Sequence, residues 1–121
     1  MNDEDFEKLV GEAIDSLPEE YAKRLDNVAV TFEDWPTQQQ RENLHLPPWV
    51  LLFGLYEGTA QTKRGIYYSS IPDKITIFKN SILAVSRNEE ELRAQVRSTV
   101  IHEIGHHFGM TEEMLAKKSK V

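Results

Sequence analysis

The run from Val100 to Glu113, V-I-H-E-I-G-H-H-F-G-M-T-E-E, constrains this chain more than any other. His102 and His106 stand four residues apart, with Glu103 beside the first. On an α-helix, residues at that spacing lie one turn above each other on one face. Two imidazoles so placed can reach one zinc ion, at about 2.0–2.1 Å each. Glu103 neighbours the first of them, where a carboxylate can take a proton from a water held by the metal. Gly109 then allows the helix to stop, because glycine accepts positive φ without strain. Beyond that bend come Glu112 and Glu113. Glu112 fills the last place of the pattern H-E-x-x-H-x-x-G-x-x-E and is the expected third ligand; Glu113 is the alternative carboxylate.

The residues upstream support a long helix carrying this motif. Asn88 is a good N-cap, and Glu89, Glu90 and Glu91 suit the positive end of a helix dipole. Leu92, Val96, Val100 and Ile104 recur every fourth residue, which predicts one helix from Glu89 to about Phe108. On that helix His102 and His106 fall away from the centre of the apolar stripe, as ligands at the floor of a cleft should.

The remaining elements read in order. Asp3 to Leu17 predicts an amphipathic helix, with Phe6, Leu9, Val10, Ala13, Ile14 and Leu17 on one stripe. Pro18 ends it or opens a short helical turn through Tyr21 and Arg24. Asn27 to Asp34 alternates Val28, Val30 and Phe32 with Ala29, Thr31 and Glu33, the pattern of a half-buried strand. Trp35-Pro36 closes it. Thr37 to Leu46 is polar and reads as a loop or a short helix, with His45 a surface residue. Val50 to Tyr56 is apolar enough for a second strand, interrupted by Gly54. Glu57 to Gly65 is a polar loop. Asp73 to Lys79 reads as a strand, with Ile75 and Ile77 facing one way and Thr76 and Phe78 the other. Lys74 and Lys79 bracket it as gatekeeping charges do on a sheet edge. Asn80 to Val85 suggests a short helix capped by Asn80. The tail from Met114 to Val121 reads as a fraying helix with solvated lysines.

Bulk properties narrow the classes. Residues 1–121 read as a single domain with ordinary globular composition, 40% hydrophobic and 28% charged. The net charge of −6 argues against nucleic acid as a partner. There is no cysteine, which excludes a disulfide framework and cysteine-based zinc sites. The acidic N-terminus lacks the apolar core of a signal peptide, and no apolar run reaches membrane-spanning length. A cytoplasmic protein without membrane contact is the expectation.

H-E-I-G-H-H-F-G-M-T-E-E, preceded by I-P-D-K-I-T-I-F-K, resembles the bacterial zincin-like metallopeptidases, sometimes called minizincins. The motif spacing is also that of the metzincins, with a carboxylate where they have a third histidine. The resemblance extends from about Phe32 to Glu113, and His106-His107-Phe108-Gly109 is its most specific part. It implies a compact α+β fold, in which a small mixed sheet packs on an active-site helix and the N-terminal helix. It also implies a zinc ion held by His102, His106 and Glu112, with Glu103 as general base.

The expected activity is zinc-dependent hydrolysis of a peptide or protein substrate. An extended substrate could add as a strand along Lys74, Ile75, Thr76, Ile77 and Phe78 if that segment is a sheet edge. Tyr67, Tyr68 and His107 are candidate oxyanion donors; for the tyrosines packing is the default, and for His107 a role behind the ligands. Met110 and Met114 default to packing. Two alternatives are a metal-stabilised binding or regulatory module without turnover, and a structural domain that binds no metal.

Overall fold

The computed structural model describes residues 1–26, 28–58 and 73–107, the side chain of His107 excepted. Helix α1 (Asp3–Asp15) follows the predicted stripe and buries Phe6, Leu9, Val10 and Ala13. The Asn2 side chain caps it, accepting the Asp5 N–H at 2.8 Å. Pro18 opens a short helix, α2 (Glu19–Ala22), which tightens into a 3₁₀ turn over Lys23–Leu25. Strand β1 (Val28–Glu33) alternates half-buried and exposed residues, as its sequence does.

The polar stretch after β1 forms helix α3 (Gln38–Asn43), held at its start by reciprocal bonds between Thr37 and Gln40. Its far end is a Schellman turn. The Leu46 N–H reaches the Arg41 carbonyl at 3.1 Å and the His45 N–H reaches Glu42 at 3.0 Å. His45 takes the left-handed position there, with φ of 55°. It is exposed, as expected of a surface residue.

Strands β2 (Gly54–Glu57) and β3 (Asp73–Phe78) complete a mixed sheet of order β1-β3-β2. β1 runs parallel to β3, and β2 antiparallel to it. Helix α4 (Lys79–Val85) leaves β3 directly, and helix α5 (Glu89–His107) follows. The Asn88 side chain accepts the Glu91 N–H at 2.9 Å, in the capping role its sequence suggested. The fold class is α+β.

Three expectations need correction. Lys74, Ile75, Thr76, Ile77 and Phe78 do not form a sheet edge. β3 is the central strand, paired from Asp73 to Phe78 with β1 on one side and with β2 on the other. Its main-chain groups are engaged on both sides, so no substrate strand can add there. Four successive buried residues, Ile75 to Phe78, are the mark of a strand covered on both faces. Lys79 is no gatekeeper either: it begins α4, is buried, and places Nζ 2.8 Å from the Asp3 carboxylate. Second, strand pairing starts at Gly54, which opens β2 rather than interrupting a longer strand. Third, Asn80 lies inside α4, and Phe78 occupies the N-cap position.

The core lies between the sheet and the two long helices. α1 packs against α5, and α5 packs against β2 and β3. Phe6, Leu9 and Val10 meet Ile75 and Ile77, together with Val96, Val100, Ile101 and Ile104 of α5, in one buried cluster. Phe6 and Phe32 make an edge-to-face pair at 4.9 Å. Each fully buried side chain of this size contributes about 1.5–3 kcal/mol. With its apolar stripe committed to this core, α5 leaves His102 half-buried and His106 exposed. No described helix is long and apolar enough to cross a membrane.

Candidate metal centre

The last two turns of α5 carry the two histidines on one side, as their spacing requires. Their ring centroids are 6.4 Å apart, with the planes tilted by 47°. Two imidazoles sharing a tetrahedral zinc ion have centres roughly 5 Å apart, from the 2.0–2.1 Å bond and the ring radius. A modest side-chain rotation closes that difference, and the exposure of His106 leaves room for it.

The tautomer of His102 is set by a main-chain contact. Its Nδ1 lies 2.9 Å from the Ser98 carbonyl oxygen, one turn earlier on the helix. A carbonyl only accepts, so Nδ1 carries the proton and Nε2 presents the lone pair. Metal-binding histidines are commonly oriented by such a bond on the second ring nitrogen. The donor chemistry on this face therefore fits a zinc ion. Among the described residues no group of three His, Cys, Asp or Glu side chains converges on one point. Glu112, Glu113 and Gly109 lie outside the described residues, as do Tyr67, Tyr68, Met110, Met114 and the side chain of His107.

Glu103 turns toward the sheet. Its Oε1 accepts the Tyr56 main-chain N–H of β2 at 2.9 Å. Burial pushes its pKa above the ordinary carboxylate value. The Tyr56 N–H and the nearby His106 and His102, when protonated, oppose that rise. A carboxylate raised in this way holds a proton more readily than an ordinary one, and its one fixed donor keeps it in place.

Tyr56 is anchored in turn. Its hydroxyl donates to Asp73 Oδ2 at 2.8 Å. Burial, followed by the bond to Asp73 and its negative charge, drives the phenol pKa far above the usual tyrosine value. Gly54, two residues earlier on β2, brings the strand against α5. A Cβ placed there would lie 2.5 Å from Thr99 Cγ2 and 3.6 Å from Glu103 Cγ.

A groove of about 340 Å³ opens beside these groups. It is lined by Leu51, Leu52 and Phe53 from the segment before β2 and by Ser98, Thr99, His102 and Glu103 from α5. The segment before β2 is held by Arg41, whose guanidinium donates to the Pro47 carbonyl at 2.7 Å and the Val50 carbonyl at 2.8 Å.

A family model described as zincin-like metallopeptidase matches residues 25–120. The chain belongs to that family. Comparison with functionally curated proteins returns no match. A solved structure, a conserved hypothetical protein from Thermus thermophilus, is similar to this zincin-like chain over 96% of its length. The likeness covers 98% of that protein, with 25% sequence identity and a TM-score of 0.60. The expected zincin-like family and the α+β fold are thus borne out.

Sequence reasoning placed His102, Glu103 and His106 on one helix, and the structure does the same. It missed the Tyr56 N–H and the Ser98 carbonyl, because main-chain donors and acceptors leave no mark in composition. It registered Gly54 only as an interruption. A glycine in a strand can also mark a close approach of two backbones, and that was the available signal.

Proposed function

We propose that this zincin-like chain is a zinc-dependent peptidase. His102 and His106 are its nitrogen ligands, Glu112 the third ligand with Glu113 as the alternative, and Glu103 the general base. The observation that carries the reading is the pairing on α5 of an oriented imidazole with a partly buried carboxylate of raised pKa. Family membership supports it.

A bound zinc ion would lower the pKa of its water toward about 7 and polarise the scissile carbonyl. The chain's own groups do the rest. Glu103 takes the proton of the attacking water and returns it to the leaving amine. The Tyr56 N–H holds Oε1, which leaves Oε2 for that transfer. Burial on the β2 side raises the carboxylate's affinity for the proton. The peptide lies in the groove between α5 and residues 51–54, with an apolar side chain against Leu51, Leu52 and Phe53. It runs beside β2, not β3.

The test is Glu103→Gln in the zinc-loaded chain, with a broad peptide library as substrate. Glutamine keeps an acceptor for the Tyr56 N–H and cannot take the proton. The expected result is unchanged zinc content and a hundred- to ten-thousandfold loss of kcat, the range for a lost general base. A wild-type chain that holds zinc and cleaves no library member overturns the peptidase reading in favour of a metal-stabilised binding or regulatory module.

A further inference from the structure

Glu103 cannot be placed by α5 alone. Its side chain has rotatable bonds, and the helix fixes only its Cα. Among the described residues, the carboxylate is bonded to the Tyr56 main-chain N–H, at 2.9 Å. Where that N–H sits depends on how β2 lies against β3. Tyr56 pairs directly with Ile75, and Asp73 is the diagonal neighbour two residues along the same face of β3. The Tyr56 ring spans this diagonal, and its hydroxyl reaches Asp73 Oδ2 at 2.8 Å. β2 is only four residues long, Gly54 to Glu57, so few ladder bonds resist a shift. Among the described residues two side-chain links join the strands, a loose half-exposed Lys74–Glu57 pair at 4.0 Å and the shorter Tyr56–Asp73 bond, and the shorter one has the larger leverage over the position of the strand.

We infer that Tyr56 and Asp73 are positioning residues for Glu103: their side-chain bond fixes β2, and β2 presents the N–H that aims the carboxylate. The aim of Glu103 is thus set from the central strand of the sheet as well as from α5. The inference rests on the base role proposed for Glu103. Its structural part, the coupling of the Tyr56 amide to Asp73, has a readout independent of turnover.

That readout is the amide proton resonance of residue 56 in the ¹⁵N-labelled 121-residue chain. Glu103→Ala identifies the bonded shift, moving the resonance upfield. Tyr56→Phe and Asp73→Ala should move it the same way, with the amides of Leu9 and Val96, away from the β2–β3 pair, unchanged. Asp73→Asn keeps an acceptor for the hydroxyl and should hold the resonance near its wild-type position. In the zinc-loaded chain, Tyr56→Phe and Asp73→Ala should lower kcat about tenfold and leave KM within twofold, with Asp73→Asn restoring most of it. A displacement well under an ångström at a reacting group is sufficient for such a loss. A residue-56 amide unmoved by Asp73→Ala and Tyr56→Phe overturns the inference, whatever the activity. If the wild type cleaves nothing while the amide responds as described, the peptidase reading fails and the coupling of Asp73, Tyr56 and Glu103 stands.

Discussion

Replacing Gly54 by alanine should destabilise the fold, although alanine is normally the better residue in a strand. The added Cβ would meet Thr99 Cγ2 at 2.5 Å and the Thr76 main-chain oxygen at 3.3 Å. Ordinary carbon contacts are about 3.5–4.0 Å, so β2 and α5 must separate by roughly 1 Å or Thr99 must turn. Thr99 is buried, and its hydroxyl accepts the Gln95 side-chain amide at 3.3 Å, so turning also has a cost. Overpacking of this kind costs about 1–3 kcal/mol. Removing glycine's extra backbone freedom returns about 0.5–1 kcal/mol. The net expectation is a loss of about 1–2 kcal/mol, a fall in Tm of roughly 4–8 °C for a domain of this size. Urea and thermal unfolding of Gly54→Ala, Thr99→Ser and the double variant measure it. Thr99→Ser deletes the clashing methyl, so the double variant should recover most of the loss, with a coupling energy of about 1 kcal/mol. Gly54→Ala as stable as the wild type, or two substitutions that simply add, would refute the close approach of β2 to α5.

Other outcomes follow from single contacts. Asp3→Ala removes the carboxylate 2.8 Å from the buried Lys79 ammonium. It should cost about 1 kcal/mol, a modest figure because Asp3 itself is exposed. Lys79→Met keeps the apolar stem and removes the buried charge, so it should be near neutral in urea unfolding; a larger loss for Lys79→Met than for Asp3→Ala would reverse this ranking. His45→Gly should stabilise the chain by roughly 0.5 kcal/mol, since relief of a left-handed side chain outweighs glycine's unfolded-state freedom. A lower Tm for that variant would show that the His45 side chain contributes a contact worth more than the strain.

The long helices were legible because their apolar residues repeat at helical spacing and their caps are local. Leu92, Val96, Val100 and Ile104 lie in the core, and Asn88 caps the helix they belong to. The placement of His102 and His106 on one face follows from that helix alone. β1 was legible from strict alternation. The sheet order was not, because pairing depends on contacts across many residues. Asp73–Phe78 carries lysines near both ends, yet one of them is drawn inward by Asp3, 76 residues away in sequence. The edge expected at Asp73–Phe78 is therefore the centre of the sheet. The partner of Glu103 was equally hidden: a main-chain N–H, 47 residues earlier, has no residue type to betray it.

In the proposed function, one helical turn of α5 supplies two ligands to a metal. Metal analysis of the 121-residue chain, purified without added zinc, is set beside that of the His102→Ala, His106→Ala double variant. One zinc per wild-type chain and almost none in the folded double variant is the expected result. Equal metal in the two proteins, or none in either after zinc is offered, would contradict it.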